Sequence, residues 1–422
     1  MTQRFAWLQI RDRAAFVRVT GVLFLVYLAT GLWSPLLAVY TRSLGAETGQ
    51  IGLVLATFQA TNLASQYWWG RFSDRLGRRK PLLLLGTAGL GLAYLGIASA
   101  GWYGWLFLAR ALEGMALSAY STGSLALIGD VLEDQRGRGK LMGLYRTFGS
   151  LAFSIAALTG GWLADGFGLR IPFVAAACCY LLAFVLCTRI AERTGDEGRV
   201  TSAEQNPQLP TPSSQLPPPT PRRALWSFLA LLATWMFAMG AVVSLWPVYM
   251  TTIGYSTTMV GGLWALAALG EVGCLILAGQ LSDRWGRKRV MLIGFVCMSG
   301  VYLAYTLSAA LAWLVAVQLV RSFAYASFEA PALLYATELG LRRQRGRLAG
   351  LYYSAGSLGG IAGSVLGGAL AQQIGMPLMF RAVVVIMLVV ALVIGRVMPR
   401  LRPAQPEVGE LTLPIPGTRR GA

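Results

Sequence analysis

The stretch Gly70-Arg71-Phe72-Ser73-Asp74-Arg75-Leu76-Gly77-Arg78-Arg79-Lys80 occurs twice in the chain. Its second copy, Gly279-Gln280-Leu281-Ser282-Asp283-Arg284-Trp285-Gly286-Arg287-Lys288-Arg289, lies 209 positions further on, counted from Gly70 to Gly279. Each copy sits between two apolar stretches long enough to cross a bilayer, which takes about 20 residues. One basic loop needs no explanation beyond membrane topology. Two copies with Gly, Ser-Asp-Arg, Gly and a basic triplet in register mark an internal duplication.

The repeat extends outward from the loop. Val39-Tyr40 matches Val248-Tyr249, Leu44-Gly45 matches Ile253-Gly254, and Gly52 matches Gly261. Gln135-Arg136-Gly137-Arg138 matches Gln344-Arg345-Gly346-Arg347 at the same offset. After a two-residue slip, Gly143-Leu144-Tyr145 matches Gly350-Leu351-Tyr352, and Gly160-Gly161 matches Gly367-Gly368. Parallel repeats of this kind imply a binding site between the halves near mid-membrane.

Composition sets the class. With 55% hydrophobic and 13% charged residues and a mean hydropathy of +0.57, the 422-residue chain is too apolar for a soluble domain. Apolar runs recur along its whole length, and only a polytopic helical membrane protein accommodates them. The net charge of +18 follows topology rather than nucleic acid. Most Lys and Arg fall in the termini, alternate loops and a central linker; Arg42, Arg170 and Arg381 fall near the other helix ends, and Arg110, Arg146 and Arg321 within apolar segments. This positive-inside asymmetry predicts that both termini are cytoplasmic, in a multi-pass protein of the cell (inner or plasma) membrane.

Twelve spans are predicted, near 18–41, 49–69, 81–100, 102–129, 140–164, 170–189, 225–250, 257–278, 290–309, 311–338, 347–370 and 377–398. Pro35, beside Trp33, bends the first. The fold class is thus all-α and polytopic, with twelve transmembrane helices in two pseudo-symmetric six-helix bundles. Residues 1–17 form a basic segment on the inner membrane surface, 18–189 the first bundle, and 225–398 the second. Residues 190–224 hold seven prolines between Pro207 and Pro221 and read as a cytoplasmic linker; 399–422 read as a disordered cytoplasmic tail. The first apolar run is too long for a cleavable signal peptide.

The pattern Gly-x-x-x-Asp-Arg-x-Gly-Arg-basic resembles the signature loop of the major facilitator superfamily, which stands between helices 2 and 3 and again between helices 8 and 9. The resemblance covers residues 18–398. It implies alternating access by two rocking bundles, with Gly70, Asp74, Arg75, Gly77 and Arg78 as part of a conformational lock. In the family the loop Asp meets the N-terminus of helix 11, where partial positive charge favours a carboxylate, and the loop arginines reach an acid at the end of helix 4, here Asp130. Asp283, Arg284, Gly286 and Arg287 have the same part against the start of helix 5, with Glu338 as the counterpart of Asp130. For the basic triplets, a role in topology alone competes with this reading.

Five ionisable groups lie well inside the spans: Arg110, Glu113, Glu271, Arg321 and Glu329. A charge at a helix centre costs roughly 2.5–3.5 kcal/mol on the insertion scale, so such groups face a cavity or a partner. Leu106-x-x-x-Arg110-x-x-Glu113-Gly114 is similar to the helix 4 motif of proton-coupled members, with Glu where Gln is usual. Arg110 and Glu113 share a helix face, so the acid either carries a proton or neutralises the arginine. Glu271, with Trp264 seven residues before it, gives an aromatic-plus-acid surface suited to a cationic or amphipathic substrate, or else Glu271 hydrogen-bonds a neighbouring helix. Arg321 stands in the repeat position of Arg110, and with Glu329 it lines the cavity or pairs across it. Asn62, in a polar line with Gln59 and Gln66, and Trp33 complete the expected cavity. Helix 5 keeps Ala152-x-x-x-Ala156-Ala157-x-x-Gly160-Gly161 in place of the antiporter signature, and helix 11 has Gly359-x-x-x-Gly363-Ser364-x-x-Gly367-Gly368. Small residues at this spacing also serve close packing alone.

The chain therefore reads as a monomeric secondary transporter of a small molecule, closest in motif pattern to bacterial proton-coupled efflux and drug-antiporter-like members, with amphipathic cargo and protons as partners in a lipid bilayer. A carrier of sugars or other small metabolites is the alternative, and a transporter-like sensor the alternative from another class. No enzyme, cofactor or metal is expected: histidine is absent, and Cys178, Cys179, Cys187, Cys274 and Cys297 lack ligand spacing.

Overall fold

The structure, a computed structural model, describes residues 13–76, 79–132, 138–190, 222–339 and 345–399. The expectations for the N-terminal segment up to residue 12, for 191–221 and for 400–422 lie outside the described residues. α1 (Arg13–Trp33) and α2 (Leu37–Ser43) make one interrupted crossing, followed by α3 (Thr48–Leu76), α4 (Lys80–Ala98), α5 (Trp105–Leu132), α6 (Arg138–Phe167) and α7 (Ile171–Thr188). The second half repeats the plan. α8 (Arg222–Ala238), a π-turn at Met239–Val243 and α9 (Ser244–Thr252) make its interrupted first crossing. α10 (Thr257–Trp285), α11 (Arg287–Ala304), α12 (Leu311–Leu339), α13 (Arg345–Ile374) and α14 (Met376–Val397) follow.

Among the described residues, nine segments are long and apolar enough to cross a membrane by length and composition. The others are the polar ones: α3 with Gln59, Asn62 and Gln66, α5 with Arg110 and Glu113, and α11, which begins Arg287-Lys288-Arg289. Each half has its own core. Tyr94, Phe173 and Tyr180 are fully buried in the first, and Trp235, Phe295 and Phe328 in the second, where Trp235 stacks on Phe328 at 4.1 Å.

Three boundaries differ from the sequence reading. Most of the duplicated motif is helix rather than loop: α3 runs on to Leu76 and α10 to Trp285. Gly286, at φ 87°, stops α10, and its N–H donates to Ser282 O at 3.0 Å. A positive φ at a helix end is where glycine carries no Cβ penalty. The first span is broken rather than bent, because Pro35 has no N–H to continue α1. In the seventh span a π-turn precedes Pro247. The proline ring crowds the carbonyl four residues back, Val243, which is the last residue of that turn.

Two lysines of the motif hold the halves together internally. Lys80 Nζ donates to Thr188 O at the end of α7 (2.7 Å), and Lys288 Nζ donates to Gly395 O (2.8 Å) and Met398 O at the end of α14. Carbonyls at a helix C-terminus lack helical donors, and a cation satisfies them.

The halves meet through α3 on α13 and α6 on α10. A Cβ at Gly52 would lie 2.1 Å from Ser364 O, and one at Gly261 2.2 Å from Ala157 O. These two contacts are related by the repeat, and so are Gly161 against Thr257 O and Gly368 against Thr48 O. The small residues of the predicted helix 5 and helix 11 motifs are therefore packing surfaces between the halves. All of this lies between mid-membrane and the face opposite the duplicated motif.

At that face the seam is polar. Asp165 at the end of α6 caps the start of α10: Oδ1 accepts from Thr257 N (3.1 Å) and Oγ1 (2.6 Å), and Oδ2 from Thr258 N (2.8 Å) and Oγ1 (2.6 Å). A carboxylate there gains from the partial positive charge of the helix N-terminus. The repeat places Gln372 at the equivalent position, and its Nε2 donates to Glu47 before α3. Arg42 Nη1 donates to Thr252 Oγ1 at 2.8 Å.

Replacing Gly261 by Leu drives side-chain atoms into a backbone carbonyl that cannot yield. In a cysteine-free background, a short bis-maleimide, whose two double bonds each add one thiol, joins Cys placed at Glu47 and Gln372, and Gly261→Leu should abolish that cross-link while the protein still inserts. Asp165→Ala removes a cap of about 1 kcal/mol, so the cross-link should form more slowly yet persist. An undiminished yield in both variants would show that these contacts do not hold the two halves together.

Candidate functional site

A cavity of about 360 Å³ lies between the halves, lined by Trp33, Ser34, Phe58, Gln59, Asn62 and Arg110 from the first half and Val243, Ser244, Pro247, Trp264 and Ser357 from the second, among others. Both interrupted crossings contribute to it. The break after Trp33 exposes Ser34, and the π-turn with Pro247 brings Val243 and Ser244 to the wall opposite.

On the first half, the wall is set by a close approach of α3 to α5. A Cβ at Gly114 would meet Phe58 O at 2.6 Å, so Gly114 lets the polar face of α3 sit against Arg110. Asn62 Nδ2 donates to Gly114 O (3.2 Å), and its Oδ1 accepts from Gln66 Nε2 (2.9 Å). The Arg110 guanidinium then lies 4.4 Å from the Phe58 ring centroid and 5.7 Å from that of Trp33. Gln59 reaches across the seam, its Nε2 donating to Ser364 Oγ at 3.3 Å.

Glu113 does not line the cavity. It is 1% exposed, pairs with Arg110 Nη1, and accepts from Tyr94 Oη at 2.7 Å. Tyr94 packs against Trp33 (5.1 Å) and Tyr180 (5.2 Å), and Trp33 Nε1 donates to Tyr180 Oη at 3.4 Å. The acid in the helix 4 motif is thus part of a sealed network behind the arginine.

The second half is arranged differently. Arg321 lies 5.5 Å from the Trp264 ring centroid, so a cation already occupies the aromatic face that the sequence reading offered with Glu271 to a substrate. None of Arg321, Glu271 and Glu329 lines the cavity; Arg321 is buried, and Glu271 and Glu329 are half-buried. Arg321 and Glu271 interact electrostatically, as do Glu271 and Glu329. Arg321 and Glu329 do not pair: Glu329 accepts from Trp235 Nε1 at 3.2 Å. Phe58, Tyr94 and Trp235 escaped the sequence reading because single aromatics in apolar spans look like core. The repeat held a clue, since Tyr94 and Tyr305 stand as far apart as Arg110 and Arg321, and Tyr305 Oη donates to Gln318 (3.0 Å).

In the duplicated motif, Gly77 and Arg78 lie outside the described residues, as do the side chains of Asp74, Asp130 and Glu338. Arg75 and Arg284 are exposed, and a side chain at Gly70 would meet nothing within 4 Å. Asp283 is 69% exposed and pairs with Arg287, which also donates to Ser282 Oγ (3.3 Å). In this conformation Asp283 is not seated against the start of α6.

The chain is similar along most of its length to known proteins. It is 26% identical over 388 residues to "Multidrug resistance protein 2" of Bacillus subtilis (strain 168), covering 89% of this chain and 93% of that one. It is 28% identical to the maltose permease of Geobacillus stearothermophilus, covering 86% and 90% of the two chains. The solved structure of the nucleoside transporter NupG superposes with a TM-score of 0.73 at 13% identity, over 91% of this chain and 98% of that one, which shows a common fold. The family model described as Major Facilitator Superfamily matches residues 19–278 and 265–419. The chain belongs to the Major Facilitator Superfamily of membrane transporters.

Proposed function

We propose that the protein is a proton-coupled secondary transporter that expels small amphipathic compounds by alternating access. The observation that carries this reading is the cavity between the halves, walled by both repeats and closed at one end by repeat-related helix contacts. A site between two rocking bodies is what alternating access requires. Resemblance to a multidrug resistance protein, and to the class B tetracycline resistance protein of Escherichia coli at 26% identity, supports outward transport of such compounds. The positive-inside distribution supports a cytoplasmic position for the duplicated motif and both termini, and on that reading this structure is the inward-facing state. The lock made by Asp74, Arg75, Gly77 and Arg78 with Asp130, and by Asp283, Arg284 and Arg287 with Glu338, belongs to the outward-facing state. It engages when the cytoplasmic ends of the halves meet.

Protons are carried by Glu271 and Glu329. Neither has a hydrogen-bonded cation, and an ionisable group inside a span without one is the kind that relays protons. Glu329 faces Trp235 of α8, Glu271 of α10 and Tyr352 of α13, with Tyr325 on its own helix. Glu113 has Arg110 and Tyr94 and serves to hold the arginine.

A second reading, transport of sugars or similar metabolites, draws on the hydroxyl and amide groups of Ser34, Gln59, Ser244 and Ser357 in the wall and on the maltose permease similarity. Proteoliposomes separate the two. With an imposed pH gradient, amphipathic compounds should accumulate against their own gradient and a protonophore should collapse the effect. Glu271→Gln and Glu329→Gln should each slow gradient-driven uptake by about tenfold or more, the scale of a lost proton-transfer group, while leaving downhill exchange in place. Unchanged gradient dependence in both variants rejects the proton assignment, and uphill movement of sugars alone rejects the cargo.

A further inference from the structure

The wall of the cavity has a sign. Among the described residues that line it, Arg110 is the one charged side chain. None of the three acids of the spans is among the lining residues: Glu113 is buried, and Glu271 and Glu329 are half-buried. Arg110 is 3% exposed; its Nη1 goes to Glu113, and its Nε has no partner at all. A buried guanidinium N–H without an acceptor is costly, and native structures rarely leave one so. Arg110 lines the cavity, and its partner Glu113 does not. A ligand therefore meets the donor edge of the pair.

The aromatic walls carry the same sign. Arg110 stands over Phe58 and Trp33, and Arg321 stands over Trp264. A lipophilic cation entering this space finds each of these rings already paired with a cation, and it meets like charge. An aromatic anion gains in both respects: its acidic group pairs with the guanidinium of Arg110, and its ring lies on the indole and phenyl faces. Arg321 adds less, because Glu271 stands in its field.

We propose that the cavity selects flat amphipathic anions, such as aromatic carboxylates or phenolates, and that Arg110 binds their acidic group. This rests on the transport reading above and names the cargo class for it. It narrows the expectation of a cationic or amphipathic cargo, drawn from Trp264 and Glu271, to amphipathic anions.

Three probes with one ring system test it: 2-naphthoate, 2-naphthamide and a naphthylmethyl-trimethylammonium salt, titrated against the purified full-length protein by tryptophan fluorescence. Naphthoate should bind about tenfold or more tighter than the amide, the worth of one charge-assisted hydrogen bond, and the cation should bind weakest. Arg110→Gln should erase the preference for the anion but leave amide binding in place, whereas Arg321→Gln should keep the preference. Because Arg110→Gln strands Glu113, the double variant Arg110→Gln/Glu113→Gln supplies the same comparison with no buried unpaired acid. Equal or tighter binding of the cation, no binding of naphthoate, or an anion preference that survives the double variant overturns the proposal. In proteoliposomes, uphill movement of the cation with naphthoate idle defeats this inference and leaves transport standing. Arg110-dependent binding of naphthoate with no uphill movement of any probe or other solute sustains the inference and defeats the transport reading.

Discussion

Everything in this molecule depends on four places where one helix backbone touches another with no Cβ between them. In hydrocarbon there is no hydrophobic gain from pressing two apolar helices together, because lipid tails solvate them equally well. Association has to come from close packing and polar contacts. Gly52 against Ser364, Gly261 against Ala157, and their neighbours Gly161 and Gly368 supply the first. Asp165, Gln59, Gln372 and Arg42 supply the second. The contacts run along α3 on α13 and along α6 on α10, with the polar caps at one end of the spans. Such a seam can separate without disturbing the core of either half.

The cores are of another kind. Each half buries large aromatics, stacked or tilted against one another, and each ties its last helix to the motif lysine that begins α4 or α11. Dense interiors repack only in discrete steps. Flexibility is therefore expressed between the halves and not within them. The cavity sits where this division is drawn, on the two crossings that proline interrupts and on the polar faces of α3 and α5.

Much of the fold could be read from the chain because duplication leaves a signal stronger than hydropathy. Offsets of 209 and 207 positions tie Gly52 to Gly261 and Gly161 to Gly368, and these same glycines prove to be the seam. Trp33, Asn62, Arg110 and Trp264 could be named as candidates because each stands beside another marker in the chain, Pro35, Gln59 and Gln66, Glu113, and Glu271 in turn, and all four line the cavity. Other features were not. The π-turn at Met239–Val243 follows from Pro247, but a proline reports a disturbance and not its form. Asp165 read as a loop residue, since its partners Thr257 and Thr258 are about 90 positions away and nothing local announces a helix capped from another helix's end. That none of the three acids lines the cavity was also invisible, because a residue's helix face is legible only once its neighbours are known.

The same two helices hold both seam and wall. On α3, Gly52 belongs to the seam, and Phe58, Gln59 and Asn62 belong to the wall; on α10, Gly261 and Trp264 divide the tasks in the same way. About one to three helical turns separate the residues that let the machine move from those that meet its passenger. A lineage can retailor the second set, residue by residue, while the first stays fixed. One scaffold can thereby serve many cargoes without its mechanics being invented again.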